Sequence, residues 1–424
     1  MTKKINLVLD EVYEKINPDG VQMSFIKKSL NDFLDKLKSE IDKKKIKVEV
    51  FVGGSFAKGS LVKKDKYDID IYLRYDLGYS SNDLDRLTKK ILKKFKYKVV
   101  HGSRDYFQVL IDESLYFEIV PVRKINNPKE SNNITDLSYS HVRYVNKNIK
   151  SKDLLRDIKL AKIFCSACGC YGAESYINGF SGYSLELLIY YYKGFAKFIK
   201  DVVKIKEKKV IDIEKLYKNK NEILMDMNSA KLGSPIVLVD PTYKYRNVLA
   251  ALSDETLKKF QKHCKDFLKN PSAKYFEKRK IDLEKIRQDS KKKKYEFVLL
   301  DVKTDKQEGD IAGSKLLKFY KHLIIELQKY FEIKDKGFSY DKKNMSKCFF
   351  VVKCKKEVLL FGPDIDDKKN ILKFRKKHKN VFVRNKRLYV KQKIDFNINS
   401  FLKVWIKKNK KLIKDMYVSE IRIG

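Results

Sequence analysis

Proline is scarce in this 424-residue chain, at seven, tryptophan occurs once, glycine seventeen times and cysteine six. So few cysteines in so long a chain make no disulfide framework, which points to a reducing, cytoplasmic interior. Cys165, Cys168 and Cys170 form a C-x₂-C-x-C string without a fourth ligand at a familiar spacing, so they read as small packing residues rather than a zinc site. No apolar run approaches the roughly 18 residues needed to cross a bilayer. The opening MTKKINLVLDEVYEKINPDG carries acids and no apolar block before a cleavage site, unlike a secretory signal.

Acids are also in short supply. Lys and Arg total 95 against 55 for Asp and Glu, a formal charge of +40. A compact fold tolerates that surplus best against a polyanion, so nucleic acid is the first expected partner. A membrane surface fits less well, because the charge is spread along the chain rather than gathered on one amphipathic helix. Only 13 of the bases are Arg, as the codons of an AT-rich genome would impose, but codon bias does not account for 40 more bases than acids. The 43 % hydrophobic content excludes a disordered chain, and the length has room for two to four domains.

Hydrophobic periodicity organises the chain. Residues 4–16 and 23–43 read as helices, separated at Pro18-Asp19-Gly20. VEVFVGGS (48–55) and the strictly alternating YDIDIYLRY (67–75) read as strands, 80–95 as a helix, and 106–111 with 115–120 as a hairpin in a mixed sheet. The pattern is helical from about 151 to 200 and again after DPTYKYRN (240–247) to about 269, where Asn270-Pro271-Ser272 breaks it. A Lys-rich connector is expected at 278–294, strands at 296–302, 348–354 and 381–391, and a long helix at 312–331.

One constellation carries chemistry. In GGSFAKGS (53–60), a strand ends on two glycines and a serine, so backbone N–H groups at Gly54 and Ser55 can approach a phosphate with no Cβ in the way. Asp68 and Asp70, two apart on an alternating strand, share a face with Cα atoms roughly 6.6 Å apart, and a cation between them relieves their repulsion. Glu118, between Phe117 and Ile119, adds a third acid from the neighbouring strand. Three such acids form an oxygen-ligand site for Mg²⁺, with room for two ions roughly 3.5–4 Å apart.

GGSFAKGS followed by DID resembles the signature of the nucleotidyltransferase superfamily that includes DNA polymerase β. EIVPVRKI (118–125), KLAKIFCSACGCYGAESYINGFSGYSLELLIYYY (159–192), DPTYKYRNVLAALS (240–253) and FGPDIDDKKNILKFRKKHKNVFVRNKRLYV (361–390) are similar to successive segments of the archaeal, class I CCA-adding enzymes. The resemblance implies an α+β, multidomain fold: a catalytic head with a mixed sheet (1–140), a helical neck (141–272), a body (273–305 and 392–424) and a tail (306–391). It implies addition of C, C and A to the 3′ end of tRNA from CTP and ATP, without a template, with release of pyrophosphate. By motif, Ser55 and Lys58 match residues at the nucleotide phosphates, and Asp68, Asp70 and Glu118 match the Mg²⁺-binding catalytic acids. His141 matches a nucleotide-site His, Lys162 a triphosphate Lys, Tyr171 a Tyr beside it, and Arg246 an Arg that tells ATP and CTP from other nucleotides. Position 118 is Glu where the family usually has Asp. Lys-rich runs such as Lys43–Lys45, Lys291–Lys294 and Lys408–Lys411 read as solvated faces and together as a surface for the tRNA acceptor stem and T arm. Tyr389, Phe401 and Trp405 are aromatics that stack on bases or pack in a core. A homodimer is compatible with this reading. A partial CC- or A-adding or oligoadenylate-making RNA 3′-nucleotidyltransferase, and a catalytically silent RNA-binding relative, remain the alternatives.

Overall fold

The computed structural model describes residues 2–102, 104–278 and 281–424, and the chain divides into two compact units, residues 1–279 and 280–424. The first unit runs α1 (Thr2–Ile16), α2 (Gly20–Lys44), β1 (Val48–Val52), α3 (Gly54–Ala57), β2 (Tyr67–Tyr75), α4 (Leu84–Ile91), β3 (Tyr97–Val100), β4 (Tyr106–Leu110) and β5 (Leu115–Arg123). It continues with α5 (Ser138–Asn148), α6 (Lys152–Ala167), α7 (Gly182–Tyr192), α8 (Phe195–Val202), β6 (Lys209–Ile211), α9 (Lys220–Asp226), β7 (Ile236–Asp240), β8 (Tyr243–Asn247) and α10 (Asp254–Lys269). The fold class is α+β, as expected.

The five-stranded sheet has the order β1-β2-β5-β4-β3, with β2 and β5 parallel and the other pairs antiparallel. Its two faces follow from the period of two. Tyr67, Ile69, Ile71, Leu73 and Tyr75 of β2 and Phe117 and Ile119 of β5 are buried against Leu30, Phe33 and Leu37 of α2 and against α4. Each large apolar side chain so buried contributes roughly 1.5–3 kcal/mol, which locks the register and leaves Asp68, Asp70 and Glu118 on the opposite face. Asp19 starts α2 with a capping box, its side chain accepting from the Gln22 N–H.

A second core joins α1 and α5 to α8 with α10 around Phe164, Phe180, Phe198 and Phe260. Cys165 and Cys170 are buried in it, in the packing role read from the sequence, and Cys264 is buried beside them. The helix expected after DPTYKYRN begins only at Asp254, where the Ser253 side chain caps α10, and DPTYKYRN itself spans the end of β7 and β8. These strands and β6 form a small sheet that the helical reading missed.

The second unit comprises α11 (Leu283–Lys292), β9 (Glu296–Lys303), α12 (Asp310–Tyr330), β10 (Phe331–Tyr340), β11 (Met345–Cys354), β12 (Glu357–Asp364), α13 (Lys368–Lys377), β13 (Phe382–Arg384), β14 (Arg387–Lys393), α14 (Ile398–Lys408), α15 (Lys410–Asp415) and β15 (Glu420–Ile423). A four-stranded sheet, β10-β11-β9-β15, packs its apolar face on α12 and α14. A three-stranded sheet, β12-β14-β13, stands beside α13. The expected connector at 278–294 contains a helix, α11, because the Asp282 side chain caps it at the Lys285 N–H. The strand expected at 381–391 is a hairpin, since Asn385 and Lys386 both take positive φ, 48° and 56°, the two-residue turn that matches strand twist. Trp405 is buried and Phe401 packs on Phe396 and Tyr330, so both serve the core. Tyr389 instead lies between Phe361 and Phe382 across the small sheet. Among the described residues no helix is long and apolar enough to cross a membrane.

Candidate active site

The site lies entirely in the first unit and begins with a close approach. Gly54 has φ +60°, and a Cβ there would sit 1.7 Å from Asp70 Oδ2. Only glycine lets the turn after β1 close over that carboxylate. Asp70 stands opposite Glu118 in the parallel β2–β5 register, and Asp68 opposite Tyr116. Burial and the charge of Asp68 push the Asp70 carboxyl from its ordinary 3.8 up to about 6. Burial and Asp70 push Glu118 up to about 7. Asp68, more exposed, is ion-paired with Lys64, and Glu118 Oε1 accepts from Gln108 Nε2 at 2.9 Å.

Among the described residues no three acids, cysteines or histidines close on a single point as they stand. The donor set nonetheless fits a hard divalent cation. It is all carboxylate oxygen, on adjacent strands, and two of its members resist ionisation because their burial and mutual repulsion outweigh the Lys58 and Lys64 charges nearby. Such a cation must displace protons from Asp70 and Glu118. Its affinity for the protein alone, followed by Mn²⁺ titration, is therefore expected to weaken about tenfold as the pH is lowered from 8 to 6. A pH-independent affinity would show that these carboxyls do not hold it.

The second cluster gathers cations on a buried acid. Lys58 Nζ donates to Glu186 Oε2 at 2.7 Å and Lys162 Nζ to Oε1 at 2.9 Å. Ser60 Oγ donates to Oε1 at 2.9 Å and accepts from Lys162 Nζ at 2.7 Å. Glu186 is fully buried on α7, and although burial alone would raise its pKa, Lys162 and Lys58 hold it down at about 2. Desolvation lowers the pKa of Lys162, and Glu186 opposes that shift. Gly182, at the start of α7, leaves room for both predicted neighbours: a Cβ there would lie 3.1 Å from the Tyr171 hydroxyl and 3.7 Å from Lys162 Cε. Tyr171 is 37 % exposed, open to a ligand. Ser55 lies in α3, where its carbonyl accepts the Ser60 N–H at 2.9 Å.

The third cluster surrounds Asp240 at the end of β7. Arg246 Nη1 donates to Asp240 Oδ2 at 2.6 Å, His141 Nε2 lies 3.1 Å from the same oxygen, and Oδ1 accepts from the Tyr183 hydroxyl at 3.1 Å and from Thr242. The His141 ring stacks on Tyr183 at 4.1 Å between centroids. Burial lowers the His141 pKa, with Asp240 opposing. Burial pushes Asp240 up, but the His141 hydrogen bond and the Arg246 charge outweigh it and leave the carboxyl below its usual range. Lys58 links the clusters, because its charge lowers the Asp70 pKa and its Nζ lies 5.9 Å from the Tyr183 ring centroid. The acids, Lys58, Lys162, Tyr171, His141 and Arg246 are thus brought to one region of the first unit.

The family described as tRNA nucleotidyltransferase, second domain, matches residues 156–277. The CCA-adding enzyme of Nanoarchaeum equitans is 35 % identical over 365 residues, 84 % of this chain and 87 % of that one. The chain belongs to the CCA-adding enzymes. The CCA-adding enzyme of Methanocaldococcus jannaschii is 28 % identical over 91 % of this chain and 87 % of its own. A solved structure of the Cid1 poly(U) polymerase matches with a TM-score of 0.51 at 16 % identity, covering 66 % of this chain and all of that one, and shows the shared fold.

In this CCA-adding enzyme relative, two acids escaped the sequence reading. Glu186 organises Lys58 and Lys162, and Asp240 organises His141 and Arg246. The signal for Glu186 was an acid inside the apolar run LELLIYYY, where a charge must find a cation.

Proposed function

We propose that this chain adds C, C and A in turn to the 3′ end of tRNA, from CTP and ATP and without a template, on the acid face of the five-stranded sheet. The observation that carries the proposal is Asp70 in register with Glu118, with the Lys58–Glu186–Lys162 cluster reaching toward them from the Gly54 turn. The tRNA 3′-hydroxyl attacks the α-phosphorus; a new P–O bond forms as the bond to the pyrophosphate oxygen breaks, and the hydroxyl proton is released. Asp68, Asp70 and Glu118 would hold Mg²⁺, which lowers the pKa of the attacking hydroxyl and offsets charge on the leaving group.

The remaining roles fall to the chain's own side chains. Lys58 and Lys162 neutralise the triphosphate, with Glu186 fixing the separation of their amines and keeping the buried Lys162 charged. Arg246 is anchored on Asp240 through Nη1, while its Nε–H is buried and meets no acceptor within the protein, which supports a role in choosing the nucleotide. The exposed lysines of the second unit, including Lys291–Lys294 and those along α13, support a surface for the acceptor stem and T arm.

The test is incubation with tRNA transcripts ending before C, after C and after CC. CTP is expected to enter the first two and ATP the third; entry of only one nucleotide would reduce the reading to partial addition. Replacing Glu186 by Gln removes the charge on which both amines rest. The KM for CTP and for ATP is expected to rise together, by roughly 10- to 100-fold, the scale of a lost hydrogen bond to a charged group. Lys162→Ala should act in the same direction, and an unchanged KM for both nucleotides in both variants would remove the cluster from the triphosphate site.

A further inference from the structure

Further along β2, past the acids, the first unit holds a cavity of about 410 Å³ that no role so far described uses. It collects charge of one sign. Arg74 lines it from the end of β2, Lys124 from just past β5 and Arg143 from α5, against one acid, Glu49 of the edge strand β1. Glu49 stands opposite Arg74 in the β1–β2 register and has both oxygens engaged: Oε1 accepts from Arg74 Nη1 at 2.7 Å, and Oε2 lies 3.1 Å from Lys124 Nζ. Three cations against one acid leave the lining with a net charge of +2. Like charges that converge on one cavity repel, as the three acids do, and an ion of opposite sign relieves them.

The two arginines are fixed by one ring. Arg74 is buried, with its guanidinium carbon 3.5 Å from the Tyr139 ring centroid, and among the described residues its hydrogen bond to Glu49 engages Nη1 alone. The exposed Arg143 lies 5.6 Å from the same centroid and, among the described residues, has no hydrogen bond or ion pair. A planar fork so oriented presents its remaining N–H groups with little further loss of rotamer freedom and matches the oxygens of a phosphate. Phe51 also packs on Tyr139, at 4.8 Å, so that ring is committed to protein contacts rather than to a base. Asn126 and Ser140 add neutral hydrogen-bonding groups to the wall.

The place is separate from the nucleotide site. Arg74 lies four residues beyond Asp70, roughly 13 Å along the strand. Tyr139 and Arg143, four apart on α5, share the helix face toward the cavity, and His141 between them turns to the opposite face, where it meets Asp240. Helix α5 therefore stands between the two.

We propose that this cavity binds one phosphate group, free or carried on an RNA backbone, among Arg74, Arg143 and Lys124. The inference goes beyond the nucleotidyl-transfer reading and stands on a different set of residues. Its test is titration of orthophosphate into the whole protein held in saturating CTP, which occupies the Lys58–Lys162 site, with binding followed by phosphorus NMR line broadening. One saturable site is expected. Arg143→Gln, at an exposed position, and Arg74→Gln should each weaken it about tenfold, the scale of a charge-assisted hydrogen bond. Lys43→Gln, which removes the same charge from an exposed position on α2, should leave it unchanged, and all three variants should keep the wild-type affinity for CTP. A tRNA transcript with a 3′-deoxy end then identifies the source. Displacement of orthophosphate by that transcript, with a salt slope of tRNA binding lower by about one in Arg143→Gln, assigns an RNA phosphate to the cavity, whereas orthophosphate that stays bound beside tRNA is a free ligand. The proposal is overturned if orthophosphate shows no saturable binding, or if Arg143→Gln and Lys43→Gln bind it equally well, as diffuse surface charge would have it.

Discussion

Asp70→Asn is expected to abolish CMP and AMP incorporation and, in the same protein, to raise the stability of the metal-free fold. The first effect follows from position. Asp70 is half-buried under the Gly54 turn, central among the three acids, and feels the Lys58 charge. Loss of one such preorganised charge costs at least about 10²–10³-fold in kcat, and incorporation of radiolabelled CMP into tRNA should fall to background on that scale. The second effect follows from the sign of the pKa shift. Folding raises the Asp70 pKa from 3.8 to about 6, with burial the larger cause and Asp68 the next, so the ionised carboxylate opposes folding once the pH exceeds both values. The neutral amide removes that penalty. In EDTA at pH 8 the variant should be more stable by roughly 1–3 kcal/mol, the difference shrinking as the pH falls through the folded pKa and vanishing by about pH 4. Thermal melts at several pH values read this directly. A variant that is inactive yet less stable at pH 8 would show that Asp70 is not held against like charge, and near-normal incorporation would remove it from the catalytic set.

Those two effects were unequally legible in the sequence. The period of two in YDIDIYLRY is local, so it placed Asp68 and Asp70 on one face, and the Gly-Gly-Ser turn announced the close approach that Gly54 makes. That Asp70 falls opposite Glu118 is a matter of register between strands far apart in the chain, which no local pattern contains. The same limit hid the organisers. Glu186 meets Lys58 across 128 residues and Asp240 meets His141 across 99, and with lysine so common no particular partner stood out. In the second unit, α11 was missed because LEKIRQDSKK offers few apolar residues at helical spacing, and it is a cap, not a stripe, that starts it. The hairpin at Asn385-Lys386 reads as one strand because both arms are rich in β-branched and aromatic residues, and the turn is made by asparagine and lysine in positive φ without glycine.

Binding of tRNA is expected to collapse with salt. If the footprint takes in about 6–10 phosphates, the affinity should fall by roughly 10³–10⁵ between 50 and 200 mM monovalent salt, because each lysine–phosphate contact releases a condensed counterion. Part of the +40 is not available for this. Lys58 and Lys162 are committed to Glu186, Arg246 to Asp240, and Arg104 to the buried Asp136, where salt has little access. The slope must therefore come from exposed lysines such as Lys43, Lys45, Lys291–Lys294 and those along α13, none of which is buried. Fluorescence anisotropy of a labelled transcript across that range measures the slope, and CTP binding to the protein alone supplies the internal contrast. A nearly flat tRNA response would assign the surplus to codon bias and local solvation. A steep response that persists when the α13 lysines are replaced by Gln would move the footprint elsewhere, whereas a slope reduced by about one per contacting lysine removed would map it there residue by residue.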